Sequence, residues 1–318
     1  MNENQLKHLD EIIKKEYSNI MGIMISREGD LVYEQYFNEF SDSDSIHIAS
    51  VTKSIVSLLI GIAIDQELIG SVDDYVLDYF PDYILKRGEK TIREVKIKHL
   101  LTMTAPYKYR SEPYTKVYSS MDWTKSALDL LGGKGAIGEY KYSTVGMQIL
   151  SGILVKATGN SVQSFATENL FKPLGIKTPE SKILADKESH IAFLRAKKAD
   201  GWIADPNGVH TAGWGIALNV SDLHKVGEMC LCGGLYNNKR IVSEKWLKES
   251  TQTYSQWEQY SYGYLWWLVN EGYAAIGDGG NVIYVCPSKN VVISIVSSFK
   301  PRAKDRIELI NNYVLPYL

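Results

Sequence analysis

The sequence predicts an α+β protein, an antiparallel sheet flanked by N- and C-terminal helices with a mostly helical lobe inserted between its early and late strands. Three features of the 318-residue chain carry that expectation. Strand-like apolar runs cluster near the two ends. The middle, from about residue 71 to 211, holds short helical patches with little sustained alternation. And residues 55–64 are apolar or small on every side, so the helix they form belongs inside the protein.

Taken in order, residues 4–17 have the pattern of an amphipathic helix. Residues 20–26 and 31–37 read as strands joined by a turn at Arg27-Glu28-Gly29-Asp30, a hairpin. A polar loop, 38–45, leads to the buried helix. Helical patches follow at 97–104, 145–158 and 161–171, the last stopped by Pro173-Leu174-Gly175. Residues 221–232 are again helical, ended by Gly233-Gly234, and 243–251 give one more helix. Strand-like runs then come at 262–269, 273–276, 282–285 and 291–297, and a closing helix at 302–313. Early and late strands joining in one sheet would make residues 1–70 and 212–318 a sheet-plus-helix lobe and 71–211 the helical lobe, with a cleft between them.

Composition excludes several functions. Hydrophobic residues at 45% and charged residues at 23% describe an ordinary globular chain. A formal charge of −2 with no basic run offers no field for nucleic acid or an anionic membrane. The buried helix, bounded by Lys53 and Asp65, is too short to span a bilayer. Residues 1–17 lack the apolar core of a signal peptide. Three cysteines, an odd and sparse count, fit a reducing compartment, so the cytoplasm is expected. The six histidines have no metal-binding spacing, and neither cofactor nor metal is expected. Gly133-Lys134-Gly135-Ala136-Ile137-Gly138 fits the dinucleotide pattern but follows a helical patch instead of a strand, which rules it out. There is no G-x-S-x-G elbow.

At the mouth of the buried helix stand Ser50 and, one turn on, Lys53. Residues three apart share a helical face, so hydroxyl and amine can point into one space. The helix start adds unpaired N–H groups and a partial positive charge that favour a developing anion. A serine beside a lysine there can serve as nucleophile and proton acceptor. The competing role for Ser50 is an N-cap. Spacing alone does not decide, since Ser297-Ser298-Phe299-Lys300 repeats it at the end of a strand-like run.

The neighbours of Ser50-Val51-Thr52-Lys53 add a resemblance. Gly29-Asp30-Leu31-Val32-Tyr33-Glu34, His99-Leu100-Leu101-Thr102-Met103-Thr104, Tyr142-Ser143-Thr144, Pro173-Leu174-Gly175, Ala212-Gly213-Trp214-Gly215 and Tyr262-Gly263-Tyr264-Leu265-Trp266-Trp267 follow in an order that is similar to the serine β-lactamase and penicillin-binding-protein superfamily. Within it the chain most resembles the class C β-lactamase-like serine hydrolases, the branch of 6-aminohexanoate-dimer hydrolase and related carboxylesterases. The resemblance covers nearly the whole chain and implies a two-lobe β-lactamase/transpeptidase-like fold with the site in the cleft.

It also implies three catalytic elements. Ser50 and Lys53 meet the first, Ser-x-x-Lys. The second, Tyr-x-Asn, falls on Tyr142-Ser143-Thr144, with threonine in place of asparagine. The third, Lys/His-Thr-Gly, falls on Asp278-Gly279-Gly280, or one residue earlier, with no cation. By this resemblance Ser50 forms an acyl-enzyme, Lys53 and Tyr142 share the role of base, and the backbone N–H groups of Ser50 and of Asn281 or Gly280 form the oxyanion hole. Thr144 and Gly279 would touch substrate, and Asp278 would either bind a substrate amine or cap a turn among the glycines. Tyr107, Tyr109, Trp123 and Trp214 fall in segments that border the family's cleft and are candidates for acyl-chain contacts, with aromatic packing as the competing role. An aspartate in the third element would repel a substrate carboxylate. The expected activity is hydrolysis of a small ester or amide; a β-lactamase or D-Ala-directed peptidase, and a non-catalytic scaffold, are the alternatives.

Overall fold

The computed structural model describes residues 1–318. Eight strands form one sheet: β1 (Ile20–Arg27), β2 (Asp30–Tyr36), β3 (Ser255–Trp257), β4 (Tyr260–Tyr262), β5 (Trp267–Val269), β6 (Gly272–Gly277), β7 (Asn281–Cys286) and β8 (Val291–Ser297). Their order is β2-β1-β8-β7-β6-β5-β4-β3, antiparallel at every step. The N-terminal hairpin therefore docks on the last strand, and the chain's two ends close one sheet.

Side chains on a strand alternate between faces, and this sheet buries both. Ile23, Ile25, Val282, Tyr284, Ile293 and Ile295 face helices α1 (Glu3–Glu16) and the closing helix, through Leu9, Ile13 and Ile310. Met24, Ile283, Val285 and Val296 face the larger core, which contains α2 (Val51–Asp65). Every residue of α2 from Val51 to Ala63 is buried, as the absence of a polar face in its sequence requires. Against it packs α3 (Gln148–Thr158), the longest helix of the inserted region. That region also carries α4 (Lys187–Arg195), and α5 (Val220–Leu231) and α6 (Arg306–Tyr313) complete the sheet's cover.

Several elements depart from expectation, among them β3 and α4, which no expected strand or helix covers. Residues 262–269 are two short strands, β4 and β5, because Gly263-Tyr264-Leu265-Trp266 turns away to dock on the core. A Cβ on Gly263 would stand 2.1 Å from the Ser250 carbonyl oxygen. Leu265 sits at φ +64° and its carbonyl accepts from Ser54 Oγ of α2 at 2.6 Å. The closing helix starts at Arg306 instead of 302, capped by Asp305, whose carboxylate accepts from Ile307 N at 2.8 Å. No helix is long and apolar enough to cross a membrane.

Candidate active site

Ser50 stands at the start of α2 but does not cap it, since its hydroxyl makes no capping bond to the helix. It meets Lys53 instead, whose Nζ lies 2.8 Å from Ser50 Oγ. The preceding Ala49 holds φ +49°, a left-handed backbone that costs an L-residue about 1–2 kcal/mol. Such strain persists where the surroundings over-determine it, commonly beside reacting groups.

Lys53 is 1% exposed. Besides Ser50 it reaches the Gly213 carbonyl oxygen at 2.7 Å and Thr144 Oγ1 at 3.2 Å. All three partners are uncharged. A carbonyl can only accept, so one Lys53 N–H is committed to Gly213. If a second is given to Thr144, the third tetrahedral position of nitrogen faces Ser50. The threonine thus still reaches the lysine where an asparagine was expected.

Tyr142 presents its ring to Lys53, with Nζ 4.9 Å from the centroid. The ring stacks on Trp267 of β5 at 6.1 Å and meets Tyr262 edge-on at 6.4 Å. Its hydroxyl bonds neither Ser50 nor Lys53 here. The turn carrying Tyr142 is pinned by a carboxylate that no sequence motif singles out. Glu112 Oε1 accepts from Ser143 Oγ at 2.8 Å and from Val145 N at 3.1 Å.

The far wall is the β6–β7 turn. Gly277 lies against the start of α2: a Cβ there would stand 3.2 Å from Ser50 N and overlap the Ile48 carbonyl at 2.4 Å. Only glycine lets the two backbones approach so closely. The amide assignments shift accordingly. Gly280 N–H is already spent on the Gly277 carbonyl at 3.1 Å, and Asn281 is paired opposite Gly277 in the ladder. Asp278, directly after Gly277, has an N–H engaged by no backbone or side-chain acceptor, as does Ser50. Asn281 instead acts through its side chain. Its Nδ2 reaches the carbonyls of Asp278 at 3.1 Å and His47 at 3.4 Å, and its Oδ1 accepts from Ser297 N at 2.9 Å. These bonds tie the turn to the segment leading into Ser50.

Beneath the turn, Gly279 is buried and its carbonyl accepts from Asn19 Nδ2 at 2.8 Å. Asn19 Oδ1 in turn accepts from Arg306 Nη2 at 2.7 Å. Burial lowers the Arg306 guanidinium to about 10. His47, 8% exposed, accepts from Gly215 N through Nε2 at 3.1 Å. Burial, and secondarily the charge of Lys53, lower it to about 3, so it is neutral.

Three of the aromatic candidates for acyl-chain contact are buried. Tyr107 and Trp123 are 6% and 2% exposed, inside the helical region. Tyr107 stacks on Tyr109, and Trp123 meets Tyr118 edge-on at 4.9 Å. Trp214 is 9% exposed, packed against Tyr118 and His47. Asp278 is exposed and borders, with Ala49, His47 and Asn281, a cleft of about 240 Å³.

The family model described as Beta-lactamase matches residues 11–315 of the chain. The 6-aminohexanoate-dimer hydrolase of Paenarthrobacter ureafaciens is 23% identical over 305 residues, 87% of this chain and 72% of that protein. Among solved structures, EstCE1, a hydrolase with promiscuous acyltransferase activity, superposes with a TM-score of 0.75 at 16% identity, over 98% of both chains. A family VIII carboxylesterase does so with a TM-score of 0.69 at 16% identity, over 97% of this chain and 95% of its own.

Proposed function

The chain belongs to the beta-lactamase family, and on that premise we propose that it is a serine hydrolase that cleaves a small ester or amide through an acyl-enzyme on Ser50. The observation that carries this reading is the Lys53 geometry. With N–H groups held by the Gly213 carbonyl and Thr144, its remaining position faces Ser50 Oγ at 2.8 Å. A neutral Lys53 takes the Ser50 proton as Oγ bonds to the substrate carbonyl carbon. The carbonyl oxygen becomes an oxyanion between the free N–H groups of Ser50 and Asp278; one such donor is worth about 3–4 kcal/mol in other enzymes. The bond to the leaving oxygen or nitrogen then breaks, and the proton passes to it, with Tyr142 the neighbouring hydroxyl for the transfer. Water attacks the acyl-enzyme by the reverse path, releasing the acid and restoring Ser50.

Asp278 beside the reacting carbonyl sets esters and simple amides ahead of β-lactams and D-Ala peptides, whose carboxylate would meet it at close range. The test is intact mass after incubation with a fluorophosphonate. Wild type is expected to gain one adduct that Ser50→Ala lacks. A folded wild-type protein that gains none would overturn the mechanism in favour of a non-catalytic scaffold.

A further inference from the structure

The cleft beside Ser50 has an unusual lining. Ala49, the residue before Ser50, and Asp278, which carries the free amide, both border it. Its other walls are Ile46, Ile191, Leu194 and Phe299, with Arg195 the one cation of the lining and Asp278 the one carboxylate. Ile191, Leu194 and Phe299 are 39%, 38% and 41% exposed, so three large apolar side chains left in water converge on one opening. Exposed apolar surface gathered beside a polar site marks a place where a ligand removes it from water.

Arg195 ends α4 and is exposed. The nearby Lys198 is neutralised by Asp44 at 2.8 Å, whereas Arg195 has no acidic partner. Asp278 is occupied with its own turn, its Oδ1 accepting from Gly279 N at 2.9 Å. α4 is anchored so that this end faces the cleft: its Phe193 is buried against His47, the rings 5.1 Å apart. The cleft's volume is about 240 Å³.

We propose that this cleft is the acyl-chain subsite, and that it takes an aliphatic acyl group ending in a carboxylate, which Arg195 receives. The inference rests on the serine-hydrolase reading above and names its substrate class. The charge arrangement separates two positions for an anion. A carboxylate next to the scissile bond meets Asp278 and is rejected. One a chain's length away passes the apolar walls and meets a guanidinium suited to bind it through two N–H groups.

The experiment compares three p-nitrophenyl esters: the hexanoate, the adipate half-ester, which replaces the terminal methyl by a carboxylate, and the 6-aminohexanoate, which ends in a cation. In wild type the adipate half-ester is expected to have the highest kcat/KM, mainly through a lower KM. Its advantage over the hexanoate is expected to shrink in 0.5 M salt, because the Debye length falls to a few ångströms. In Arg195→Gln the adipate-to-hexanoate ratio should fall about fivefold, the effect of one exposed charge pair. Hydrolysis of the hexanoate with no adipate advantage, or an advantage that survives Arg195→Gln, would overturn the subsite. So would a preference for the 6-aminohexanoate, whose terminal cation Arg195 would repel. Failure to hydrolyse any ester, with no fluorophosphonate adduct, would instead sink the catalytic reading on which the subsite rests.

Discussion

Lys53 spends its hydrogen bonds on a carbonyl and two hydroxyls, so the geometry, and no paired carboxylate, fixes the direction of its nitrogen. Tyr142 contributes a ring face to that environment and a hydroxyl to the proposed proton transfer. The two contributions are separable. Tyr142→Phe keeps the stack on Trp267 and the approach to Lys53, and removes only the oxygen. If the hydroxyl moves the proton, kcat for a p-nitrophenyl ester should fall about 100-fold or more, with fluorophosphonate labelling slowed and folding unchanged by circular dichroism. Activity within threefold of wild type would leave Tyr142 as packing for Lys53. At this scale the sequence was most legible where side chains meet at fixed spacing, as Ser50 and Lys53 do. The Gly213 carbonyl and the Asp278 amide were invisible because every residue carries a backbone and no side chain announces which one is used. For Tyr107, Trp123 and Trp214 the sequence left packing and cleft contact as alternatives for a related reason: an aromatic that lines a cleft and one that fills a core read alike in sequence.

Between residue and fold, the element that sets the proposed oxyanion geometry is the turn from β6 to β7. It is held from above by Asn281 and from below by Asn19 with Arg306. Asn19 sits just before β1 and Arg306 opens α6, so the two ends of the chain meet under the site. Neither was singled out in the sequence, because the brace joins residues nearly 290 positions apart and has no local pattern. The longer strands were legible as continuous apolar runs, since both faces of the sheet are buried, whereas short β3 was not. The break between β4 and β5 was not, because it depends on contacts with Ser250 and Ser54. Removing the Asn19 side chain in Asn19→Ala leaves Arg306, 2% exposed, without its closest side-chain partner and frees the Gly279 and Ser298 carbonyls. A buried polar group so orphaned costs about 1–3 kcal/mol. Urea unfolding is expected to show that loss, and kcat should fall more than KM rises, since the oxyanion donor is displaced while the cleft remains. Wild-type stability together with wild-type kcat would show that the turn needs no brace.

For the whole molecule, burial of ionisable groups sets the response to acid. His47 is held near 3, and His210 and His224 near 4, each mainly by desolvation. A histidine depressed on folding contributes its full stability above the unfolded value of about 6.5. It loses it as pH falls, because the unfolded chain takes up a proton that the folded chain refuses. Burial has the opposite effect on Asp205, Asp222 and Glu228, whose carboxyls are raised and so bind protons in the folded state first. The total pH profile is therefore a contest, and a difference between variants isolates one group. His47→Gln keeps an acceptor for the Gly215 N–H and removes the titrating ring. Relative to wild type, the variant should gain about 1.4 kcal/mol per pH unit below 6.5, or about 2–3 kcal/mol between pH 6.5 and 4.5. Paired urea titrations at those pH values measure it. The gain has to grow toward acid, since at pH 7.5 both proteins carry a neutral group there and differ only by packing. A stability difference that stays constant across the range would mean that position 47 is open enough to water to protonate in the folded protein. In that case the wall between Lys53 and Trp214 would be far wetter than its 8% exposure describes.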